Sequence, residues 1–441
     1  MRPLISAIRQ TAAVGSRASV DGWVQSVRKM KNVAFADIGD GSSVHSLNVV
    51  FDRPEQAAEL STGACVQVDG QIVESPGKQK FELQADSVKV LGPAGPDYPL
   101  QKKYHSREFL RQLPHLRWKT RQAAQVLRYR SWAMAQLQQF FIKNDVCQVN
   151  SPIITSSDCE GAGEVFTIEK SQEFFGKPAY LSVSSQLHLE VFAASLSRVW
   201  NMTPAFRAEA SDTNRHLSEF WIAEVELAFI SKLEELTKFC EHMTQATVPA
   251  DAMREELLVS KRDAETRAKL ENRWNIVSKP WTTLTYTEAV DLLNKSGKVP
   301  PLVWGQQLPS EHEKFLASEL VNGITVVTDY PESFKPFYMK ASEHQEPGKP
   351  TVACFDVLFP EIGEVVGGSM REDSYELLKR RMALKNMNAA GLEWYTDLRK
   401  FGSFPHGGYG LGFERLVMYL CGLDNVRDAT GFVRGFGQLP C

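Results

Sequence analysis

The seven cysteines of this sequence lack any pairing pattern. They are scattered along the chain, with no Cys-x-x-Cys pair and no histidine at the spacing of a structural zinc site. Such an odd, dispersed set argues against a disulfide framework and favours a reducing compartment. The sequence also lacks an apolar run of the roughly 18 residues that a membrane-spanning helix needs. We therefore expect no membrane partner.

A second group of absences narrows the possible nucleotide-binding folds. The sequence contains no strand–glycine–helix unit of the Rossmann type, no Walker loop and no internal repeat. Its net charge of −3 excludes an overall basic surface, so any contact with nucleic acid must come from local basic clusters. The composition that is present, with 43% hydrophobic residues in a chain of 441, suits about two or three globular domains.

The N-terminal residues are basic and rich in alanine and serine. Within residues 1–20 there are Arg2, Arg9 and Arg17 and no acidic residue. This composition is typical of a mitochondrial targeting segment, which we place at residues 1–19. We accordingly expect the protein in the mitochondrial matrix. The alternative is a slightly basic tail on a cytoplasmic protein.

The rest of the sequence predicts an α+β chain with two folded domains. Residues 20–92 contain five short segments that alternate apolar and polar side chains, which predicts a five-stranded barrel of the OB-fold kind. Residues 93–115 begin with several prolines and glycines and are predicted to form a hinge or linker. The second domain covers residues 116–441. It includes a long amphipathic helix over residues 117–144 and a charged helical insertion at about 245–280.

One segment concentrates ionisable side chains between apolar strand residues. Residues 203–229 predict two antiparallel strands, and the small polar residues 210–214 predict the loop that joins them. Arg207, Arg215 and His216 lie on or beside this loop. A solvated hairpin of mixed charge is the simpler interpretation, but it accounts poorly for so many charged groups in that setting.

This segment resembles motif 2 of class II aminoacyl-tRNA synthetases, in the form found in the aspartyl, asparaginyl and lysyl subgroup. Residues 407–428 resemble motif 3, a glycine-rich strand that runs into a helix with an arginine at its start. Residues 355–372 resemble a further active-site segment, and residues 149–154 resemble the motif 1 strand with its proline. The resemblance implies an OB-fold barrel followed by a class II catalytic domain, in which helices flank an antiparallel sheet.

The resemblance also implies an activity, which is to activate an amino acid with ATP and transfer it to tRNA. Such chemistry asks the protein to position reactants and neutralise charge, and a guanidinium suits this because it forks onto phosphate and keeps its proton. By the resemblance Arg207, Glu364 and Arg415 are catalytic, and Glu364 with Asp356 holds Mg²⁺, a cation that prefers carboxylate oxygens. The implied ATP-binding residues are Arg207, Glu209, Arg215, His216, Leu217, Phe220, Glu364, Gly412 and Arg415.

The amino acid that the resemblance implies is asparagine, with aspartate as the alternative. Leu189 occupies the position where aspartyl enzymes carry a lysine, so a cation for the aspartate side chain is missing. Glu224 can accept a hydrogen bond from an asparagine amide and repels a carboxylate. A second alternative is a non-catalytic, synthetase-like RNA-binding protein. The implied amino-acid-binding residues are Glu160, Ser184, Gln186, Leu189, Glu224, Gly367 and Arg371.

Further predictions concern the barrel, the oligomeric state and the end of the chain. The resemblance implies that Arg28, Phe35 and Asn48 contact the anticodon of tRNA(Asn), although Phe35 alone could equally be a core residue. Motif 1 implies a homodimer. One departure stands out: the family's tail after motif 3 usually reads Arg-Asp-Val-Ile-Pro-Phe-Pro-Arg, whereas residues 427–434 read Arg-Asp-Ala-Thr-Gly-Phe-Val-Arg.

Overall fold

The computed structural model describes residues 1–77, 79–156, 164–260, 263–387 and 391–441. By their contacts these residues form two compact units. The first unit combines Met1–Arg128 with Asp251–Asp263 and Cys441, and the second combines Tyr129–Ala250 with Ala264–Pro440.

The elements of both units follow in chain order. The strands are β1 (Arg17–Lys29), β2 (Ala34–Gly39), β3 (Leu47–Phe51), β4 (Cys65–Glu74), β5 (Phe81–Gly92), β6 (Cys147–Gln148), β7 (Ile154–Thr155), β8 (Tyr180–Leu181), β9 (Arg198–Phe206), β10 (Glu219–Ala228), β11 (Thr282–Thr285), β12 (Thr325–Pro331), β13 (Thr351–Phe359), β14 (Gly363–Met370) and β15 (His406–Gly412). The helices are α1 (Ile5–Thr11), α2 (Arg107–Arg111), α3 (Arg121–Lys143), α4 (Ser171–Phe175), α5 (Gln186–Leu196), α6 (Leu233–Gln245), α7 (Asp251–Val259), α8 (Ala264–Ser278), α9 (Tyr286–Ser296), α10 (Ser310–Phe315), α11 (Tyr375–Leu384), α12 (Glu393–Lys400) and α13 (Phe413–Leu420).

The first unit contains a closed barrel with the strand order β1-β2-β3-β5-β4. Alternate residues of the strands point into the barrel and are buried, as the alternating sequence predicted. β3 and β5 pair in parallel, while the other neighbours are antiparallel. The predicted OB-fold barrel is confirmed.

Helix α1 packs against this barrel. Its residues Ile5 and Ile8 are 1% and 4% exposed and belong to the barrel core. The carboxylate of Asp40 accepts a hydrogen bond of 2.7 Å from the backbone N–H of Ile5, which holds the start of the helix. Much of the segment predicted to direct mitochondrial import is therefore part of the folded barrel unit. Its role in import stays a prediction.

The segment predicted as a linker also packs within the first unit. Leu100 is buried, and the ring of Tyr98 lies so close to Gly63 that a Cβ at Gly63 would come within 2.6 Å of it. From the predicted helical insertion, α7 belongs to this unit, where Glu256 pairs with Arg128 at 2.5 Å. α8, the other helix of that insertion, belongs to the second unit.

The second unit is built on an eight-stranded sheet with the order β11-β12-β13-β14-β15-β10-β9-β6. Its central strands are antiparallel, as predicted. The two outermost pairs, β11–β12 and β6–β9, are parallel, so the sheet is mixed. The physical reason is the length of the connections, since parallel neighbours need a long crossover and both pairs are separated by helices.

The motif 1 segment differs from a simple strand. Residues 149–153 connect β6 to β7 and belong to no strand, and Ile154 is the first residue of β7. Pro152 has no N–H to donate to a neighbouring strand, whereas the N–H of Val149 bonds to the carbonyl of Trp200 at 2.9 Å. Within the described ranges, no helix combines the length and apolarity that crossing a membrane requires.

Candidate active site

A cleft of about 430 Å³ opens in the second unit, over the centre of the sheet. Every predicted site residue of this unit that the structure describes lines the cleft. Glu160 lies outside the described residues. The residues brought together are Ser184, Gln186, Leu189, Arg207, Glu209, Arg215, His216, Leu217, Phe220, Glu224, Asp356, Glu364, Gly367, Arg371, Gly412 and Arg415.

The hairpin of β9 and β10 carries one side of the cleft, as the sequence predicted. The strands pair from Phe206 opposite Glu219, and the N–H of Arg207 extends the hairpin by donating to the carbonyl of Ser218 at 2.9 Å. The Arg207 guanidinium lies 5.6 Å from the centroid of the Phe220 ring and 3.8 Å from a carboxylate oxygen of Glu209. A cation is thus positioned beside a partly buried aromatic ring that lines the cleft.

The loop between these strands, residues 207–218, carries His216. Its Nδ1 lies 3.1 Å from the hydroxyl of Ser211, and its Nε2 lies 3.8 Å from Glu209. Burial lowers the pKa of His216, and the positive charge of Arg415 lowers it further. The imidazole therefore stays neutral at neutral pH and can offer one N–H and one lone pair.

Two further guanidinium groups meet on one wall. Arg215 donates from Nη1 to the hydroxyl of Ser310 at 2.5 Å and to the carbonyl of Ile362 at 3.1 Å. Arg415, in the first turn of α13, donates from Nη1 to the backbone carbonyl of Glu364 at 2.8 Å. Each guanidinium also faces a carboxylate, since Arg215 lies 3.3 Å from Glu313 and Arg415 lies 3.8 Å from Glu364. The neutral acceptors and these carboxylates together fix the two guanidinium groups at the cleft wall.

Carboxylates gather opposite these arginines. Glu364 and Asp356 both point at Gly367, where a Cβ would lie 3.3 and 3.5 Å from their oxygens. Burial and the neighbouring Glu364 raise the pKa of Asp356, although Lys335 opposes this from 2.9 Å. Burial and Glu364 likewise raise the pKa of Glu313. Such crowded carboxylate oxygens are the donor set that a hard divalent cation prefers.

Two members of this cluster were not predicted. Lys335 pairs with Asp356, and Glu313 lies 3.3 Å from Arg215. Both are far from the motifs in sequence, and neither stands in a recognisable spacing. The only sequence signal is the segment around Lys335, VTDYPESFKPFYMK, which is typical of the subgroup but gives no role to any one residue.

The other end of the cleft is built around Glu224, which is 4% exposed. Its carboxylate accepts a hydrogen bond from the Ser184 hydroxyl and another, of 2.8 Å, from the backbone N–H of Ser185. Gln186 begins α5 and donates from its amide to Glu190 at 3.2 Å. Leu189, 1% exposed, packs in a small apolar cluster and places no charge near Glu224.

Arg371 is buried and forms a two-pronged ion pair. Its Nε and Nη2 donate to the Glu226 carboxylate at 3.1 and 2.9 Å, and its Nη1 donates to the Ser369 hydroxyl at 2.9 Å. Burial raises the pKa of Glu226 in spite of this arginine. Arg371 was predicted to bind the amino acid, and the structure adds a carboxylate that holds the guanidinium at the cleft wall.

A buried polar network that the sequence did not predict lies around Glu190. Its carboxylate accepts hydrogen bonds from the Tyr395 hydroxyl at 3.0 Å and from Arg399 at 2.5 Å, and His406 Nε2 lies at 3.0 Å. Burial raises the pKa of Glu190, but the charges of Arg399, His406 and Arg371 outweigh it and lower the pKa. A glutamate inside an apolar helical stretch was the available signal, but its partners are about 200 residues away.

Two glycines of β15 leave room for side chains of the neighbouring strand β10. A Cβ at Gly408 would come within 2.0 Å of Glu226, and a Cβ at Gly410 within 2.8 Å of Ile222. Gly412 has room for a Cβ, with contacts no closer than 3.7 Å. The close packing of β10 against β15 therefore explains the first two glycines, while Gly412 lines the cleft at the start of α13.

In the first unit, the predicted anticodon residues share the outer face of the barrel. Arg28 on β1 pairs with Phe35 on β2, and Asn48 on β3 pairs with Asp37. Phe35 is 37% exposed, which removes the alternative that it is a core residue. An exposed aromatic ring beside a basic side chain is a surface on which an unstacked base can lie.

Comparison with known proteins agrees with this geometry. The family model of class II tRNA synthetases (D, K and N) matches residues 106–435, and the model of an OB-fold nucleic acid binding domain matches residues 18–91. A mitochondrial asparagine–tRNA ligase of Saccharomyces cerevisiae is 43% identical, covering 94% of this chain and 92% of its own. An asparagine–tRNA ligase of Picosynechococcus is 42% identical and covers 98% of both chains.

A solved structure extends the agreement to the whole fold. The asparaginyl-tRNA synthetase of Pyrococcus horikoshii, complexed with asparaginyl-adenylate, superposes with a TM-score of 0.87 and 30% identity, covering 100% of this chain and 99% of its own. The chain therefore belongs to the class II tRNA synthetases of the D, K and N family, with an OB-fold domain at its N-terminal end.

Proposed function

We propose that this protein is an enzyme that activates asparagine with ATP and transfers it to tRNA(Asn). The observation that carries the proposal is the buried carboxylate of Glu224. It lies in the same cleft as Arg207 and Arg215 of motif 2 and Arg415 of motif 3. The similarity to proteins named asparagine–tRNA ligases, and to a structure that holds asparaginyl-adenylate, supports the same assignment.

In the first step the carboxylate of asparagine attacks the α-phosphorus of ATP, and pyrophosphate leaves. The protein contributes position and charge, because no covalent bond to it is formed. Arg207 would contact the α-phosphate and the attacking carboxylate, and Arg215 with His216 would meet the distal phosphates. Phe220 and Arg415 would enclose the adenine, with Arg415 contacting the ring through its guanidinium plane.

Mg²⁺ would be held by Glu364 and Asp356, whose carboxylates both lie beside Gly367, 3.3 and 3.5 Å from where a Cβ would be. Bound there with ATP, it supplies further neutralisation of phosphate charge. The raised pKa of Asp356, caused by burial and by Glu364, supports the fit, because a cation between these carboxylates relieves their repulsion. Glu209 would lie near the adenine amino group or the metal, and the backbone at Leu217 and Gly412 would border the nucleotide.

Asparagine is favoured over aspartate by charge. The Glu224 carboxylate has lone pairs beyond those used by Ser184 and Ser185, and these can accept the side-chain N–H₂ of asparagine. The carboxylate of aspartate would face the carboxylate of Glu224, and like charges in contact cost several kcal/mol. Position 189 is a leucine, so no lysine there neutralises the aspartate side chain. Arg371 would donate to the amide oxygen.

The remaining contacts to the amino acid follow the same assignment. Ser184 and Gln186 would border its backbone groups, Gly367 would leave room for it, and Glu160 would hold the α-amino group. In the second step, a terminal hydroxyl of the tRNA attacks the adenylate and AMP leaves. Arg28, Phe35 and Asn48 on the barrel would bind the anticodon, where stacking on one aromatic ring is worth about 1–3 kcal/mol per base.

We further propose a homodimer that forms around α3 and the motif 1 segment. Both expose large apolar side chains, which supports an interface there. Met134 and Ile142 on α3 are 38% and 68% exposed, and Ile153 and Ile154 are 41% and 46% exposed. Analytical ultracentrifugation of the full chain should give twice the monomer mass, and a monomer at micromolar concentration would contradict the proposal.

The proposed location is the mitochondrial matrix. Two relatives, from Saccharomyces cerevisiae and Schizosaccharomyces pombe, are named as mitochondrial, and the first residues of this chain are basic. Imaging of the full chain fused to a fluorescent protein should show mitochondrial fluorescence. A diffuse cytoplasmic signal would favour the alternative.

The test of the function as a whole is tRNA charging. Purified protein with ATP, Mg²⁺ and labelled asparagine should charge a tRNA(Asn) transcript and leave a tRNA(Asp) transcript uncharged. Charging of tRNA(Asp) with aspartate would replace the proposal with the aspartyl alternative, and no charging by any amino acid would favour a non-catalytic RNA-binding protein.

A further inference from the structure

The end of the chain contacts the loop that carries Arg215 and His216. We name residues 424–434 the C-terminal segment and residues 210–217 the motif 2 loop. Two hydrogen bonds connect them at the middle of the loop. The backbone N–H of Val426 donates to the carbonyl of Asn214 at 2.8 Å, and the side-chain amide of Asn214 donates to the carbonyl of Asp424 at 3.0 Å.

A third contact ties them where the loop ends. The N–H of Ser218 donates to the carbonyl of Arg434 at 2.8 Å. Because these bonds use main-chain atoms of the C-terminal segment, they depend on where that segment lies more than on its side chains. The loop is thus fixed both at its middle and at its junction with β10.

Arg427 adds a side-chain contact at the start of the loop. Its Nη2 lies 2.5 Å from the Asp212 carboxylate, and its Nη1 donates to the carbonyl of Thr213 at 3.2 Å. The guanidinium is largely buried, with 8% of the side chain exposed, whereas the Asp212 side chain is 68% exposed. A planar, two-pronged donor can serve two acceptors in fixed positions, which a lysine cannot do as well.

The C-terminal segment is itself attached to the body of the unit. Arg130 on α3 donates to the carbonyl of Ala429 and to the Glu414 carboxylate, both at 2.9 Å. Glu414 in turn accepts the N–H of Trp221, on β10, at 2.9 Å. The segment that contacts the loop is therefore anchored to α3, to β10 and to the helix that carries Arg415.

We propose that Arg427 is a positioning residue that holds the motif 2 loop so that Arg215 and His216 face the distal phosphates of ATP before ATP binds. The proposal rests on the proposed function of that loop. The residues that make the contacts to the loop lie outside the departure in the tail, which is confined to residues 429–431 and 433, and Arg427 and Arg434 keep the family's spacing.

The experiment measures ATP affinity and catalysis separately in the full-length protein. Calorimetry with ATP and Mg²⁺ gives the Kd for ATP without any amino acid, and ATP–pyrophosphate exchange gives KM for ATP and for asparagine. The variants are Arg427→Ala, Arg427→Lys and Asp212→Asn. The control is Glu346→Gln, which removes a carboxylate of similar exposure, 61%, from an ion pair with Lys349 outside the cleft.

We expect Arg427→Ala to raise both the Kd and the KM for ATP about tenfold, a loss of about 1.4 kcal/mol, while KM for asparagine changes less than about twofold. Arg427→Lys should fall between Arg427→Ala and the wild type, Asp212→Asn should raise the Kd for ATP about threefold, and Glu346→Gln should match the wild type. Asp212 is exposed, so its variant keeps the test valid if Arg427→Ala folds poorly.

An unchanged Kd for ATP in both Arg427→Ala and Asp212→Asn would overturn the proposal. Equal increases in the KM values for ATP and asparagine, together with a lower Tm, would also overturn it, because they indicate a structural role only. Failure of the proposed function looks different: the wild type would bind ATP but show no exchange with asparagine, and the calorimetric comparison would still decide the role of Arg427.

Discussion

The backbone N–H of Ser185 donates a 2.8 Å hydrogen bond to the Glu224 carboxylate, and this bond joins the start of α5 to the middle of β10. The Ser184 hydroxyl bonds to the other carboxylate oxygen. Glu224 is thereby held in one orientation in a buried position. A fixed, buried acceptor discriminates between an amide and a carboxylate, because the wrong ligand leaves a like charge unneutralised.

Replacing Glu224 by glutamine should remove that discrimination. The substituted amide would present an N–H₂ or an oxygen with no net charge, so kcat/KM for asparagine in pyrophosphate exchange should fall by about 10²-fold or more. KM for ATP should change less than about twofold, since Glu224 is separate from the residues assigned to the nucleotide. An unchanged rate with asparagine would refute the role given to Glu224.

Glu190 should be among the most important side chains for the stability of the second unit. Glu190→Gln leaves Arg399 and His406 buried without their carboxylate, and we expect the free energy of unfolding to fall by about 3–5 kcal/mol. Urea denaturation followed by circular dichroism measures this. A loss below about 1 kcal/mol would show that the network does not depend on its charge.

The contribution of Glu190 to stability should depend on pH. The charges of Arg399, His406 and Arg371 outweigh burial and lower the pKa of Glu190 below its ordinary value of 4.5. A lowered carboxyl pKa contributes stability that is complete above the unfolded-state pKa and is lost as pH falls toward the folded-state pKa. The stability difference between wild type and Glu190→Gln should therefore be constant above about pH 5 and shrink below about pH 4.5.

These residues also show what the sequence could predict. The five barrel strands, α3 and the hairpin of β9 and β10 follow from local periodicity and turn residues, and the structure confirms each of them. The resemblance to the family identified the predicted residues that line the cleft, and most of them lie in three short, contiguous segments, 203–229, 355–372 and 407–428.

The network around Glu190 could not be predicted in this way. It joins α5 to α12 and β15, and Lys335 meets Asp356 from a separate loop. These pairs depend on the strand order, which local patterns do not determine. The parallel outer strands were missed for the same reason. The assignment of α7 to the barrel unit likewise depends on contacts between segments that are distant in sequence.

The carboxylate pair at Gly367 predicts a magnesium dependence. Asp356→Asn removes one of the two proposed ligands and leaves Lys335 without its partner. The Mg²⁺ concentration that gives half-maximal exchange should rise about tenfold, in the range typical of weakened metal sites. The double variant Asp356→Asn with Lys335→Met removes the unpaired charge and should keep the raised Mg²⁺ requirement. A normal Mg²⁺ requirement in both would contradict the assignment.

Helix α1 should stabilise the barrel. Ile8→Ala removes a side chain that is 4% exposed, and burial losses of this kind cost about 2–5 kcal/mol. Hydrogen–deuterium exchange of peptides from β1 and β4 should accelerate in this variant. Leu4→Ala is the matched control, because Leu4 is 55% exposed and its loss should change exchange little. Equal exchange in both variants would mean that α1 contributes little to the barrel.

Phe35 should contribute to the binding of tRNA(Asn) and not to the activation of asparagine. Phe35→Ala removes an exposed ring, and we expect KM for tRNA(Asn) to rise about tenfold, which corresponds to the loss of about one base stack. Asparagine-dependent exchange without tRNA should be unchanged, because Phe35 belongs to the first unit. An unchanged KM for tRNA would remove Phe35 from the anticodon site.

The preference for asparagine over aspartate is tested by ATP–pyrophosphate exchange with the purified protein, with each amino acid supplied over a range of concentrations. The buried charge of Glu224 and the absence of a lysine at Leu189 predict that kcat/KM for asparagine exceeds that for aspartate by about 10³-fold or more. A kcat/KM for aspartate equal to or above that for asparagine would show that this protein does not select asparagine.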